Sequence, residues 1–273
     1  MRQIPIAKPI TAISTLLFAV LSTAPVLAQV STFGAEHQFA LSGERLTGVY
    51  WIDASSDLDG TITTPGGATA SSSTNIDNSG LKLAFLGNDG GVDFSTIPRV
   101  GFDFFVVQNV SLGAAFIYLH DSDETDTGGT VTAPAPIGTV TLDAVNTETS
   151  TDSFVISPRV GYGRSWDHIG IWARGGLTYG HQNNEVDETT TDAQGNITRV
   201  QTTTKLSLLT LSLDVQALFI PADYFGIGVG PFIEIPLTGS IDFEQNDDGT
   251  MTNADGDLSA LSVGLTATLV GWL

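Results

Sequence analysis

The stretch Leu261-Ser262-Val263-Gly264-Leu265-Thr266-Ala267-Thr268-Leu269-Val270-Gly271-Trp272-Leu273 decides the fold. From Leu261 onward every second residue is apolar or glycine, whereas the residues between them are mostly small and polar. A period of two places alternate side chains on opposite faces of a β-strand. The segment is therefore predicted to be a strand with one apolar face and one mostly polar face.

The same alternation recurs along the chain and predicts an all-β fold. The eight predicted strands are 36–52, 93–106, 110–121, 152–164, 169–181, 203–219, 225–242 and 258–273. The segment 81–86 either lengthens the second strand or forms a short extra strand in the first loop. A soluble sandwich strand would also show a period of two. The connections favour a barrel, because short turns alternate with long loops, as in transmembrane barrels. The short turns are 107–109, 165–168 and 220–224, and the long loops are 53–92, 122–151, 182–202 and 243–257.

The beginning of the chain has the pattern of an export signal. Arg2 and Lys8 precede an apolar run from Ile10 to Leu21, and small residues stand before a cleavage site after Ala28. Residues 1–28 are therefore predicted to be a signal peptide, and residues 29–273 to be one barrel domain. The sequence has no cysteine, which excludes disulfides, thiol chemistry and lipidation at a cysteine.

The charge of the chain is strongly acidic. Ten Lys and Arg stand against 30 Asp and Glu, which gives a formal net charge of −20. Such a surface repels nucleic acid, and no basic patch with interleaved aromatic residues is present in the sequence. Nucleic acid is therefore not an expected partner.

An internal repeat suggests a series of hairpins and carries a family resemblance. Ile97-Pro98-Arg99-Val100-Gly101-Phe102 is followed later by Ser157-Pro158-Arg159-Val160-Gly161-Tyr162. With the export pattern and the closing strand 262–273, the chain resembles the small outer-membrane β-barrels of Gram-negative bacteria, the group of the outer membrane protein A barrel and the W-type barrels. One departure is the end in Trp272-Leu273, where the family usually has Phe.

The resemblance implies an eight-stranded antiparallel up-and-down transmembrane β-barrel in the cell outer membrane. Its expected partners are outer-membrane lipid, lipopolysaccharide and the barrel-insertion machinery. Because no peptidoglycan-binding domain follows the barrel, the anchoring role of some relatives is not implied.

The alternation also predicts which charged side chains face the interior. This lumen set carries three cations and three anions: Arg99, Asp103, Arg159, Arg174, Asp214 and Glu234. Eight strands enclose a space only wide enough for side chains, so the set is predicted to form a salt-bridged structural network. A proton or ion path is the alternative. Glu44 and Arg45 are adjacent, so one of the two is expected to point inward.

The remaining polar clusters predict no catalytic, cofactor-binding or metal site. Acidic groups such as Asp121–Asp126 could hold divalent cations weakly, but none completes a known calcium loop. Ser122, His120 and Glu185 could be combined into a hydrolase triad only arbitrarily, since no spacing supports it.

We consider three functions for such a barrel, and the expected one comes first. The first is a non-enzymatic barrel with a plugged lumen and a structural or surface-interaction role. The alternative is a narrow conduit or uptake barrel for small hydrophobic solutes, of the W type. The third is a lipid-modifying enzyme.

Overall fold

The computed structural model describes residues 32–85, 94–132, 139–192 and 196–273. The predicted signal peptide 1–28 lies outside these residues. The strands are β1 Phe39–Thr63, β2 Thr69–Phe85, β3 Arg99–Val107, β4 Val110–Thr132, β5 Thr139–Trp166, β6 Ile169–Thr191, β7 Ile197–Ala222, β8 Phe225–Asp247 and β9 Thr250–Trp272. Among the described residues, no helix is long and apolar enough to cross a membrane.

All neighbouring strands are antiparallel, and the sheet closes on itself. The strand order is β2-β1-β3-β4-β5-β6-β7-β8-β9, and β9 pairs in turn with β1. The all-β, antiparallel, up-and-down arrangement predicted from the sequence is thus confirmed. The described chain has nine strands, whereas the sequence predicted eight.

The ninth strand arises because one position of the ring is divided in two. The first part of β1 pairs with β3, from Phe39↔Phe104 to Glu44↔Arg99. The remainder of β1 pairs with β2, from Thr47↔Phe85 onward. Strands β2 and β3 therefore follow one another along the same side of β1. The segment 81–85, which the sequence left open, is the end of β2.

The division leaves part of the wall without backbone pairing. Among residues 94–132 and the other described ranges, β4 pairs with β3 only from Val110 to Phe116, and from Ile117 to Thr132 it pairs with β5 alone. In the described part of the chain, β2 has β1 as its only strand neighbour. The two free edges of β2 and β4 define what we call the β2–β4 seam.

Most strands are longer than the sequence predicted. The predicted strand 93–106 is the exception, because β3 begins only at Arg99 and the residues before it are not paired in the sheet. Much of the predicted long loops is paired strand, for example Ser122 to Thr127 against Val145 to Ser150. These extensions contain Thr, which favours strands, but also much Ser, Asp and Asn, of which Asp and Asn are depleted in strands, and cross-strand pairing stabilises them nonetheless. We call the two ends of the ring the hairpin end, where the extensions lie, and the short-turn end.

Two-residue turns at the short-turn end join β3 to β4, β5 to β6 and β7 to β8. Asn109, Asp167 and Tyr224 lie there with positive φ of 68°, 50° and 65°. The short turns predicted at 107–109, 165–168 and 220–224 are confirmed. The backbone of Phe39 exchanges hydrogen bonds of 3.0 and 2.9 Å with Leu273, so the chain end and β1 meet at this end.

A belt of exposed apolar side chains surrounds the ring next to the short-turn end. It occupies alternate positions on each strand and is between about nine and thirteen residues long, as on β6 from Ile169 to Tyr179. Members of the belt include Trp51, Leu112, Phe116, Tyr118, Phe154, Val160, Tyr162, Leu177, Leu213, Val215, Val229, Leu237, Val263 and Leu265. The outer face is therefore apolar at the level where the inner face is charged.

Candidate functional site

The candidate site is a cluster of buried charges inside the ring, and a bulge in β1 contributes two of them. The pairing of β1 with β9 shifts register between Gly43 and Thr47, and Arg45 has a φ of 56°. The two extra residues that β1 holds at this point interrupt the alternation, so Glu44 and Arg45 are both buried, at 4% and 8% exposure. The expectation that one of the two points inward is wrong for this reason.

The first group of charges, which we call the Glu44 group, has two arginines and three carboxylates. Arg159 donates from Nη1 to Glu44 Oε2 at 2.7 Å and from Nε to Asp103 Oδ1 at 3.3 Å. Arg174 donates from Nε to Asp214 Oδ1 at 2.9 Å and from Nη1 to Glu44. Glu44 thus bridges two guanidinium groups. Charge-assisted hydrogen bonds of this kind are about twice as strong as neutral ones.

The second group, which we call the Glu234 group, has two arginines and one carboxylate. Arg45 donates to Glu234 Oε1 at 2.6 Å, and Arg99 donates to the same oxygen at 3.3 Å. Each arginine also donates to a backbone carbonyl: Arg45 to that of Ser95, and Arg99 to that of Phe94 at 2.7 Å. Neutral carbonyl oxygens therefore occupy positions that carboxylates fill in the Glu44 group.

The two groups together are neutral and closely packed. Four arginines face four carboxylates, and the aromatic faces of Phe232 and Trp172 lie 4.4 and 4.0 Å from the guanidinium carbons of Arg45 and Arg174. The cavity that remains among these side chains is about 10 Å³, which is about the space that one water needs. The arrangement can fix the interior through its ion pairs, and the cavity that it leaves among these side chains is small.

Apolar side chains cover the charges on the short-turn side. Phe33 is 1% exposed and lies inside the ring, with ring centroids 5.2 Å from Phe105, 5.2 Å from Trp172 and 5.1 Å from Trp272. Edge-to-face aromatic pairs at this distance are favourable. The backbone N–H of Gly34 donates to Gln38 Oε1 at 2.8 Å, which holds the segment before β1 in place.

A second apolar cluster covers the charges on the hairpin side. Part of it comes from the segment between β2 and β3, where Phe94, Ser95, Thr96 and Ile97 are all buried. The cluster consists of Phe94, Ile97, Val155, Leu206, Leu208, Leu258 and Ala260. We call Phe94 to Ile97 the inserted segment, because it lies inside the ring although it joins two strands of the wall.

The structure brings together all six charged residues that the sequence placed in the lumen. All are buried except Asp214, whose side chain is 20% exposed. Sequence reasoning missed Glu44 and Arg45 as a joint contribution, and it missed the inserted segment. The alternation carries no signal for a bulge, and an apolar segment next to a strand does not reveal that it folds inward.

The histidines near the rim pair with neighbours across adjacent strands. His120 Nδ1 lies 2.9 Å from Asp152 Oδ1, to which the Tyr118 hydroxyl also donates at 2.7 Å. The hydrogen bond from Tyr118 is the largest cause that lowers the pKa of Asp152 below its usual range. His181 Nδ1 lies 3.0 Å from Ser207 Oγ.

Acidic side chains gather on the outer face of the hairpin end. Glu124, Glu148, Glu185 and Asp187 line one surface depression with Ser122. Within the described ranges, no group of three or more His, Asp or Glu side chains has the geometry of a metal site. The weak cation binding expected at the acidic segments stays a prediction.

Comparison with known proteins gives structural matches only. No family model matches the chain, and no curated protein matches it. Solved structures similar to it include the outer membrane protease OmpT from Escherichia coli, with 12% identity, a TM-score of 0.33, and coverage of 90% of this chain and 99% of that one. Ail, the attachment invasion locus protein of Yersinia pestis, matches with 8% identity, a TM-score of 0.22, and coverage of 81% and 98%.

A third match is the Pseudomonas putida toluene transporter TodX, with 6% identity, a TM-score of 0.23, and coverage of 82% of this chain and 89% of that one. The closed antiparallel ring and its exposed apolar belt have the architecture of an outer-membrane β-barrel, as the sequence predicted. Because all three TM-scores are below 0.5, none of the matches carries an argument about function.

Proposed function

We propose that this protein is a transmembrane β-barrel of the outer membrane with eight strand positions, a closed interior and a structural or surface-interaction role without enzymatic activity. The exposed apolar belt supports the transmembrane placement, because a spanning barrel needs an apolar exterior about 25 Å tall. Antiparallel pairing closes the ring between β9 and β1, and outside the β2–β4 seam it pairs the backbone between strands, as a lipid environment requires.

The observation that carries the proposal is the neutral, filled interior. Four arginines and four carboxylates pair with each other and leave about 10 Å³, and an apolar layer lies on each side of them. An ion that crossed this interior would have to separate buried ion pairs, and a buried charge without its partner costs on the order of several kcal/mol. A general pore is therefore not expected.

The surface role rests on the strand extensions. They continue past the belt and expose carboxylates on three adjacent strands, as Glu124, Glu148 and Asp187 do. In an outer-membrane barrel this end faces outward, where lipopolysaccharide with its divalent cations is the first neighbour. Outer-membrane lipid, lipopolysaccharide and, during biogenesis, the barrel-insertion machinery are the proposed partners.

Planar-bilayer recording tests the closed interior. Insertion is first verified by a heat-dependent shift in gel mobility and by protease cleavage confined to the hairpin end. The inserted protein is expected to show no steady conductance steps. Reproducible steps that change in size in the Glu234→Gln variant, and stay the same in the surface variant Glu148→Gln, would refute the proposal.

The β2–β4 seam favours a second candidate, the uptake of small hydrophobic solutes. The seam begins at Phe116, at the level of the apolar belt, and the apolar cluster around Leu206 and Leu258 lies inside the ring above the charges. A solute could enter sideways from the membrane and reach an apolar interior.

An uptake measurement separates this candidate from the first. Cells that produce the protein are compared with cells that produce a variant carrying Ile117→Asp, which places a charge next to the seam. Faster accumulation of an apolar dye with the wild type only would support uptake. Equal rates in both strains and in the empty-vector strain would exclude it.

A further inference from the structure

The inserted segment occupies the interior in an unusual way. Segments without regular structure normally run over the surface, because their backbone polar groups need water. Phe94, Ser95, Thr96 and Ile97 are instead between 0% and 7% exposed. Two of their carbonyl groups accept hydrogen bonds from Arg45 and Arg99, which compensates for the burial.

The arginines that hold the segment are short of negative charge. By their hydrogen bonds, Arg45 and Arg99 share one carboxylate, Glu234, whereas the two arginines of the Glu44 group share three. The Glu234 group therefore has a local charge of +1, and the Glu44 group balances it with −1. In addition, Arg99 Nε is buried and has no hydrogen-bond partner in the described part of the chain.

The shape and chemistry of the inserted segment are those of an amphipathic molecule. Its carbonyl oxygens face the two guanidinium groups, and its side chains Phe94 and Ile97 belong to the apolar cluster. The fit on the apolar side is close: a Cβ atom at Gly180 would lie 2.5 Å from Phe94 Cγ. The wall is thus shaped to an apolar group at this point.

We propose that the space filled by the inserted segment is a binding site for an amphipathic anion, a molecule with one carboxylate and an apolar body. The carboxylate takes the place of the two carbonyl oxygens at Arg45 and Arg99, and the apolar body takes the place of Phe94 and Ile97. A carboxylate is the better acceptor for guanidinium groups, since charge-assisted bonds are shorter and stronger. Binding needs no passage through the closed interior, so this inference goes beyond both functions proposed above and depends on neither.

A reversible lock on the segment provides the test. Ser95 Oγ donates to Ser262 Oγ at 2.9 Å, so the inserted segment touches β9 at a point where two cysteines would face each other. The natural chain has no cysteine, so the double variant Ser95→Cys, Ser262→Cys can form only this one bond. The two single variants are the matched controls.

The probe is dodecanoate labelled with ¹³C at the carboxyl carbon, added to the protein in lipid nanodiscs. We expect the reduced double variant, the single variants and the wild type to give a bound carboxyl resonance that empty nanodiscs lack. Oxidation of the double variant should weaken binding at least tenfold, and reduction should restore it. Labelled dodecanol, which has the same chain without the charge, should give no bound signal.

Three outcomes would overturn the proposal. The first is equal binding by the oxidised and reduced double variant, because the ligand would then lie elsewhere. The second is equal binding of dodecanol and dodecanoate, which would mean simple partition into apolar surface. The third is failure of the two cysteines to form a disulfide in the folded protein, which would contradict the placement of the segment.

Discussion

Removing the charge of Glu44 should strongly destabilise the protein. Its carboxylate accepts hydrogen bonds from Arg159 at 2.7 Å, from Ser42 Oγ at 2.6 Å and from Arg174. In Glu44→Gln the side chain keeps its size, but the new amide N–H₂ points donors at guanidinium donors. Two buried arginines also lose a shared counter-charge.

The expected cost follows from these contacts. Removing one partner of a buried ion pair costs about 3–5 kcal/mol. Each hydrogen bond to a charged group contributes about 1.5–3 kcal/mol, so three bonds would exceed this range if they were simply additive. Arg159 and Arg174 keep Asp103 and Asp214 as partners, which limits the loss. We therefore expect Glu44→Gln to lower the free energy of unfolding by about 3–5 kcal/mol.

The assay is urea-induced unfolding in lipid vesicles, followed by tryptophan fluorescence, with Trp172 beside the charges as a reporter. The matched control is Glu148→Gln, the same change at an exposed site, which should stay within about 0.5 kcal/mol of the wild type. Combining Glu44→Gln with Arg174→Gln restores neutrality, and the double variant should be more stable than the sum of the single effects by about 1–3 kcal/mol. A Glu44→Gln variant as stable as the control would refute the ion-pair reasoning.

Three further predictions concern the other layers of the molecule. Leu213→Arg on the apolar belt should lower the free energy of unfolding by about 2–4 kcal/mol in the same assay. Gln201→Arg, beyond the belt on the same strand, should lower it by less than about 1 kcal/mol. Equal losses would mean that the belt does not face lipid. Phe33→Ala should cost about 3–5 kcal/mol through the cavity it leaves, yet bilayer recording should show no new conductance because the charges still close the interior. Tyr118→Phe should raise the pKa of Asp152 toward its ordinary value, because the hydrogen bond that lowers it most is lost. The carboxylate then gains its proton at a higher pH as the solution is acidified. An NMR titration that shows no upward shift of this pKa would contradict the contact.

Much of the ring could be predicted from the sequence, because alternate residues of a strand face opposite sides of the sheet and the apolar residues recur at every second position. The alternation from Leu261 to Leu273, which recurs in the other strands, predicted which side chains point outward and which point inward. The inward positions in turn identified the six charged residues of the lumen. Short turns at Asn109 and Asp167 were also predictable, since Asn and Asp tolerate positive φ.

The rest depends on contacts that a period of two does not encode. The bulge at Arg45 turns two adjacent charges to one side, and no residue type at that point demands a positive φ. The strand extensions, such as Ser122 to Thr127, are rich in Asp and Glu, which are depleted in strands, so pairing with a neighbouring strand decides their structure. The inward path of Phe94 to Ile97 depends on Arg45 and Arg99, whose position is known only once the ring is closed.

The contact between Phe33 and Trp272 joins the two extremes of the described chain, and this has a consequence for biogenesis. Trp272 ends β9, and β9 completes the ring against β1, so the pocket for Phe33 does not exist until the last strand has been placed. Pairings between residues so distant in sequence are slow to form, because the chain entropy lost in closing so long a loop comes before the contact is gained. A chain that lacks β9 therefore leaves Phe33 without its contact to Trp272. The exposed aromatic side chain then distinguishes the incomplete barrel from the complete one, and a quality-control protease or chaperone can bind it.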